Sequence, residues 1–110
     1  MKITLSGEGE LRVVRFDGSI DTATASDVEA ALMQVLSDGA TKVVLNFEKL
    51  VYINSAGLRV IMVVAKELKH VDGALRLCSV NAMVQEVLDF TKFSNFLHIA
   101  PSESDALSGL

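Results

Sequence analysis

Few side chains in this sequence have the chemistry and spacing that metal binding or covalent catalysis requires. The two histidines, His70 and His98, and the single cysteine, Cys78, form no Cys-x-x-Cys or His-x-x-x-His pair. Cys78 stands in the apolar segment 75–80, where a buried thiol is more common than a reactive one. We therefore predict no metal site, no cofactor and no cysteine nucleophile.

Ser55 is the strongest candidate for a functional hydroxyl group. The tetrapeptide Asn54-Ser55-Ala56-Gly57 is not the Gly-x-Ser-x-Gly elbow of hydrolases, and the sequence places neither histidine as its base. Asn54 or Ser55 can instead cap a helix that runs to about His70. The start of a helix is loop-like, accessible backbone. We predict no catalytic residue and no enzyme activity, but an exposed serine.

Strands that would support this helix are marked by apolar runs. Residues 2–5 and 11–16 flank a polar turn with glycines and predict a hairpin, which Asp17-Gly18-Ser19 is expected to end. Residues 42–47 form a β-branched, nearly continuous apolar run that is typical of a central strand. Two further strands are expected at residues 74–79 and 97–99.

Helices are marked by capping residues between these strands. Thr24 and Asp27 match a capping box ahead of a first helix, which should end at Gly39. Asn81 and Ser102 each stand at the start of a later helical segment. The second helix should bury one face, consisting of Leu58, Ile61, Met62, Ala65 and Leu68. The alternation predicts an α/β fold with a mixed, mainly parallel sheet, helices packed against it, and one domain over residues 1–110.

Charge and hydropathy exclude several classes of partner. The 110 residues carry a net charge of -4, and the ten basic residues are scattered, so a nucleic-acid surface is not expected. The longest apolar run, residues 60–65, is far shorter than the roughly 20 residues that span a bilayer. The first residues lack the pattern of a secretory signal, so we expect a cytoplasmic protein without membrane insertion.

Two motifs resemble the bacterial STAS domains of anti-anti-sigma factors, also called anti-sigma factor antagonists. The first is the segment Leu50-Val51-Tyr52-Ile53-Asn54-Ser55-Ala56-Gly57-Leu58-Arg59, and the second is the turn Gly18-Ser19-Ile20-Asp21. The order of strands and helices along the chain agrees as well. This resemblance implies a STAS-like fold for the whole chain and a protein-binding switch that regulates transcription.

In that family the unmodified domain binds an anti-sigma factor that is also a serine kinase. Phosphorylation of the motif serine ends the binding, and a PP2C-type phosphatase restores it. The resemblance makes Ser55 the phosphorylation site, and it makes the surface around the motif the partner-binding site. The expected partner-binding residues are Asp21, Asn54, Ala56, Gly57, Arg59, Val60 and Val63.

Several of these residues have more than one interpretation. Gly57 either begins the helix without a special role or allows close approach by a partner. Arg59 could steer an acidic partner, bind the phosphate, or be a solvated surface arginine. On helical angles Val60 and Val63 fall outside the apolar face, so both could be exposed partner contacts. Asp21 is expected to cap the first helix through its side chain, and the resemblance implies that its turn also lies close to Ser55.

Asn54 departs from the family pattern, where aspartate is usual. Asparagine keeps the shape and capping capacity of aspartate but lacks its negative charge. An alternative function follows from this difference. The domain could be an accessory subunit of a transporter or signalling complex, with Ser55 acting only as a helix cap.

Overall fold

Five strands form a single sheet in which every strand lies beside its neighbours in sequence, in the order β1-β2-β3-β4-β5. The structure is a computed structural model that describes residues 1–110. The elements are β1 Lys2–Glu8, β2 Leu11–Ile20, α1 Ala25–Ser37, β3 Lys42–Ile53, α2 Ser55–His70, β4 Ala74–Cys78, α3 Ala82–Phe90, β5 His98–Ala100 and α4 Glu103–Leu107, with a 3₁₀ turn at Phe93–Asn95.

The sheet is mixed and mainly parallel, as the sequence predicts. β1 and β2 form the antiparallel hairpin, and β2, β3, β4 and β5 run parallel to one another. The parallel strands therefore end at one edge of the sheet, where the loops that follow β2, β3 and β4 lie side by side. The β3–α2 junction, with Ser55, is at the centre of this edge.

The second strand continues past its predicted end. Asp17, Gly18 and Ser19 stay in the sheet, and β2 runs on to Ile20. Its pairing with β3 shifts register after Arg15 and again after Gly18, whose φ of +130° is accessible mainly to glycine. The predicted break at Asp17-Gly18-Ser19 is thus wrong, because these residues bend the strand without ending it.

The third strand is also longer than its apolar run. Residues 42–47 are its first half, and the strand continues through the exposed residues Glu48 and Lys49 to Ile53. Ile53 pairs with Ile20 at the last position of β2. As a consequence only Asn54 separates β3 from α2, and the start of α2 is anchored directly to the sheet.

Helices cover both faces of the sheet, and β3 supplies the cores of both. Val43, Leu45 and Phe47 point into the larger core beneath α1, α2 and α3. Val44 points the other way, into a smaller core with Cys78 and Ala106 of α4. This alternation is the pattern of a strand buried on both sides.

A polar cluster attaches α4 to the sheet. Arg15 on β2 donates to both carboxylate oxygens of Glu103, at 2.7 and 2.8 Å, and Asn46 Nδ2 on β3 donates to Glu103 Oε1 at 3.0 Å. Asn46 is a buried polar residue, 6% exposed. The sequence contains no pattern that signals these contacts, since 88 residues separate Arg15 from Glu103.

The capping residues predicted for the last two helices are confirmed, and of the two candidates at α2, Asn54 and Ser55, the cap is Asn54. The side chain of Asn54 accepts two backbone N–H groups of α2, and those of Asn81 and Ser102 accept one each from α3 and α4. The capping box at α1 is wrong. Thr24 is the N-cap, but its hydroxyl group donates to Ser19 O at 2.8 Å and makes no bond to the first turn of α1.

Candidate functional site

Ser55 is the first residue of α2 and its side chain is exposed, as expected. The helix begins here because Asn54 has extended backbone and its Oδ1 accepts the N–H groups of Ala56 at 3.0 Å and Gly57 at 3.3 Å. Two of the N–H groups that a helix leaves unpaired at its start are therefore satisfied. Asn54 thus supplies the cap, and Ser55 is free of that task.

Gly57 holds α2 close to the sheet. A Cβ atom at this position would lie 2.7 Å from Ile20 Cγ2, 2.7 Å from Ile53 Cγ1 and 2.8 Å from Ile20 O. No side chain fits into that space without displacing the ends of β2 and β3. The alternative in which Gly57 allows close approach by a partner is therefore wrong, because the close approach is made to the protein's own strands. Gly57 is buried and presents no surface to a partner.

Asp21 shapes the loop between β2 and α1. Its Oδ1 accepts the N–H groups of Ala23 at 2.9 Å and Thr24 at 3.2 Å, and its own N–H donates to Thr24 Oγ1 at 3.0 Å. The carbonyl oxygen of Asp21 accepts the N–H of Ala25, the first residue of α1, at 2.8 Å. The expectation that Asp21 caps α1 through its side chain is therefore wrong, because that side chain binds the loop residues Ala23 and Thr24 and only the backbone carbonyl oxygen reaches α1.

This loop lies against the start of α2. The N–H of Asn54 donates to Ile20 O at 3.1 Å, and Asn54 Nδ2 donates to Thr22 Oγ1 at 3.3 Å. These two bonds join the neighbours of Asp21 to the neighbour of Ser55, so the two loops meet at the same edge of the sheet. Thr22 is an additional member of this surface that the sequence analysis missed, because it carries no motif of its own and stands 32 residues from Asn54.

Arg59 is exposed and forms an ion pair. Its Nη2 lies 2.7 Å from Oε1 of Glu29 on α1, and the two side chains are 62% and 31% exposed. Because Arg59 follows Ser55 by four residues, the two lie on the same face of α2. Glu29 was not among the predicted residues, and nothing in the local sequence pattern links it to α2.

Val60 does not belong to the exposed surface, and that expectation is wrong. It is 0% exposed and packs in the larger core, whereas Val63 is half-buried. The reason is that α2 contacts α1 as well as β3 and β4, so it buries more than one narrow stripe. The buried positions are Gly57, Leu58, Val60, Ile61, Val64 and Leu68.

Ala56 and Asn54, the remaining predicted partner-binding residues, are less exposed than Ser55. Ala56 is half-buried and packs against the larger core, and Asn54 is partly exposed. Ser55, Arg59 and the exposed residues of the loop 21–24 therefore form the accessible surface. We call this set, Asp21, Thr22, Asn54, Ser55 and Arg59, the Ser55 surface.

The arrangement of titratable side chains is not that of a metal centre or a thiol active site. No group of three or more histidine, cysteine, aspartate or glutamate side chains is close enough to hold a metal ion. Cys78 is 0% exposed, and burial raises the pKa of its thiol. A buried, protonated thiol is a poor nucleophile.

None of the helices combines the length and apolar character that crossing a membrane requires.

Comparison with known proteins gives a consistent picture of the family. The model of the STAS domain family matches residues 2–106. BtrV of Bordetella bronchiseptica, which is named as an anti-sigma factor antagonist, is 36% identical over 106 residues, covering 96% of this chain and 91% of BtrV.

Solved structures share the fold at lower identity. SpoIIAA in its unphosphorylated form is 24% identical with a TM-score of 0.83, covering 96% of this chain and 93% of SpoIIAA. Bacillus SpoIIAA in its phosphorylated form has a TM-score of 0.74 at 22% identity, covering 96% of each chain. A sulfate transporter family protein from Wolinella succinogenes has a TM-score of 0.77 at 15% identity, covering 90% and 83%.

Proposed function

Because the chain belongs to the STAS domain family, we propose that it is an anti-sigma factor antagonist that releases its anti-sigma factor when Ser55 is phosphorylated. The observation that carries this proposal is the position of Ser55. It is exposed at the first residue of α2, beside the loop that Asp21 organises. BtrV, whose match spans nearly the whole chain, is named as an anti-sigma factor antagonist, and this name supports the antagonist part of the proposal.

The chemistry needed at Ser55 is a phosphoryl transfer from ATP. Ser55 Oγ forms a bond to the γ-phosphorus while the bond from that phosphorus to the bridging oxygen of ADP breaks. A base on the kinase accepts the hydroxyl proton, and ADP leaves. The antagonist supplies only the hydroxyl group, and the exposure of Ser55 lets a kinase reach it without unfolding the domain.

The fold should tolerate the added phosphate. The group carries about -1.5 to -2 charge at neutral pH. It would stand at the positive end of α2, where an anion is stabilised by about 0.3 to 1 kcal/mol. Asn54 already occupies the N–H groups of Ala56 and Gly57, so the phosphate need not displace any contact of the cap.

The binding partner should not tolerate it. A phosphate group buried in an interface must lose its hydration, and without a compensating cation this costs several kcal/mol. The same modification therefore leaves the isolated domain intact and disrupts the complex. This difference in cost is what makes the site a switch for binding and not for folding.

Asn54 is compatible with this role. It makes the capping contacts through its carbonyl oxygen, which an aspartate carboxylate would make in the same way. Its neutral amide also places no negative charge beside a phosphorylated Ser55. Substituting asparagine for the usual aspartate therefore preserves the helix start at which the kinase would act.

A second candidate function is an accessory role in a transporter assembly without phosphorylation. The similar fold of the Wolinella succinogenes sulfate transporter family protein favours it. Isolation of the tagged protein from its own cells would separate the two. Co-purification of membrane transport components without a kinase would support the accessory role, and co-purification of an anti-sigma factor kinase would support the antagonist.

The direct test is phosphorylation by the cognate anti-sigma factor kinase with ATP, followed by intact mass measurement. The wild type should gain the mass of one phosphate group, and Ser55→Ala should gain none. Ser26→Ala is the matched control, because Ser26 is another exposed serine at the start of a helix, and it should be modified like the wild type. An unmodified wild type, or a fully modified Ser55→Ala, would refute the assignment.

A further inference from the structure

Arg59 is the only basic residue in the part of the chain that surrounds Ser55. The sequence has no lysine or arginine between Arg15 and Lys42, so the β2–α1 loop and all of α1 lack positive charge. Residues 50–65 contain only Arg59, and the β4–α3 loop contains no basic residue. The same region carries acidic side chains at Asp21, Asp27 and Glu29.

Helix geometry places Ser55 within reach of the Arg59 side chain. Residues four apart on a helix have Cβ atoms about 5–6 Å apart, and helical side chains lean toward the N-terminus. A long arginine side chain at position 59 can therefore reach a group attached to Ser55. Both side chains are exposed, so a phosphate group on Ser55 and the guanidinium group of Arg59 could meet at the surface.

In the unmodified protein Arg59 binds a carboxylate, which is a weaker ligand for a guanidinium group than phosphate. Its Nη2 makes a single short contact, 2.7 Å, with one carboxylate oxygen of Glu29. Exposed carboxylate pairs of this kind contribute little stability, so exchanging the partner costs little. A phosphate group offers about twice the charge and more acceptor oxygens, and the planar guanidinium group can bind two of them at once.

We propose that the phosphate group on Ser55 binds Arg59 and thereby releases Glu29. This inference rests on the proposed function, since it requires that Ser55 is phosphorylated. It assigns Arg59 as the phosphate-binding residue of the modified state and Glu29 as the residue that holds the guanidinium group in the unmodified state. Phosphorylation then changes two points of the surface, because α2 gains a bound phosphate and α1 gains an unpaired carboxylate.

The test measures the ionisation of the phosphate itself. Protein with phosphoserine incorporated at position 55 during synthesis is titrated by ³¹P NMR around pH 6, where the second proton of a phosphoserine dissociates. In Arg59→Gln the pKa of that phosphate should rise by about 0.5, because an exposed cation that stabilises the dianion has been removed. In Glu29→Gln it should fall, because the competing carboxylate is gone.

Lys69→Gln is the matched control. Lys69 is exposed in the last turn of the same helix, so this variant removes one positive charge far from Ser55 and should leave the pKa of the phosphate unchanged. Equal phosphate pKa values in the wild type and Arg59→Gln would overturn the proposal. So would an increase in Lys69→Gln as large as that in Arg59→Gln.

The outcome is separable from that of the proposed function. The phosphate is introduced without a kinase, so the titration reports only on Arg59 and Glu29. A shifted pKa together with a wild type that no kinase modifies would support the binding residue and refute the switch. An unshifted pKa together with efficient phosphorylation would do the opposite.

Discussion

Gly57 of α2 lies directly against Ile20 of β2, so close that a Cβ atom would be 2.7 Å from Ile20 Cγ2 and 2.8 Å from the Ile20 carbonyl oxygen. That carbonyl oxygen also accepts the N–H of Asn54. One contact therefore sets both the depth of α2 against the sheet and the position of the residue before Ser55.

We expect Gly57→Ala to destabilise the protein despite the higher helix propensity of alanine. Alanine would gain about 1 kcal/mol in an unstrained helix. Overpacking costs about 1–3 kcal/mol, and here one of the neighbours is backbone that cannot rotate away. The free energy of unfolding in urea should therefore fall by up to about 2 kcal/mol. Ser55→Ala, an exposed change in the same turn, is the control and should have little effect, whereas a stabilised Gly57→Ala would contradict the packing described.

The cap of α2 gives a second expectation. Asn54→Ala removes the oxygen that accepts two N–H groups and should lower the free energy of unfolding by about 1–2 kcal/mol. Asn54→Asp retains that oxygen and loses only the amide that donates to Thr22, so its stability should stay within about 0.5 kcal/mol of wild type. Thermal unfolding of the two variants measures the difference. Equal losses in both would show that the capping oxygen is not the contact that matters.

Substitutions at Val60 and Val63 test whether Val60 is buried and Val63 only half-buried on α2. Val60→Ala should lower the free energy of unfolding by about 2 kcal/mol, because Val60 is fully buried and removing its methyl groups leaves a cavity in the core. Val63→Ala removes the same atoms from a half-buried position and should cost clearly less. Urea unfolding of the two variants makes this comparison. Equal costs would contradict the burial pattern.

Local features of the fold could be predicted from the sequence. Caps at Asn54, Asn81 and Ser102 were predictable because each contact spans only a few residues, and local chemistry decides it. The mixed, mainly parallel sheet was predictable from the alternation of strands and helices.

Other features depend on tertiary contacts and could not be inferred in this way. Val60 is buried on a helix that packs against α1 as well as the sheet, and periodicity along α2 alone carries no information about how many elements cover it. The extension of β3 through Glu48 and Lys49 could not be predicted, because these exposed polar residues interrupt the apolar pattern that indicates a buried strand. Thr22 and Glu29 join the Ser55 surface through contacts across 32 and 30 residues of sequence.

Burial of Cys78 predicts a loss of stability in alkaline solution. Desolvation raises the pKa of this thiol above its ordinary value of 9.0, so the folded protein holds the proton to higher pH than the unfolded chain does. Well below pH 9 both states are protonated and the effect is absent. Above it the unfolded chain loses the proton first, so the free energy of unfolding falls as pH rises.

The measurement compares urea unfolding at pH 8 and pH 10 in the wild type and in Cys78→Ala. The wild type should lose up to about 1 kcal/mol more than the variant over this interval, because all other titrating groups are common to both. The absolute stability of Cys78→Ala is lower for reasons of packing, and only the change with pH matters. An identical change in both proteins would show that the thiol is not protected by burial.

The most direct test of the switch is the affinity of the cognate anti-sigma factor for two forms of the protein, unmodified and carrying phosphoserine at position 55. Isothermal titration calorimetry should show that phosphorylation weakens binding by at least about 100-fold, or roughly 3 kcal/mol. Phosphoserine at Ser104, on the exposed side of α4 across the sheet, should bind like the unmodified protein. The same dissociation constant for the unmodified and Ser55-phosphorylated forms would contradict the account.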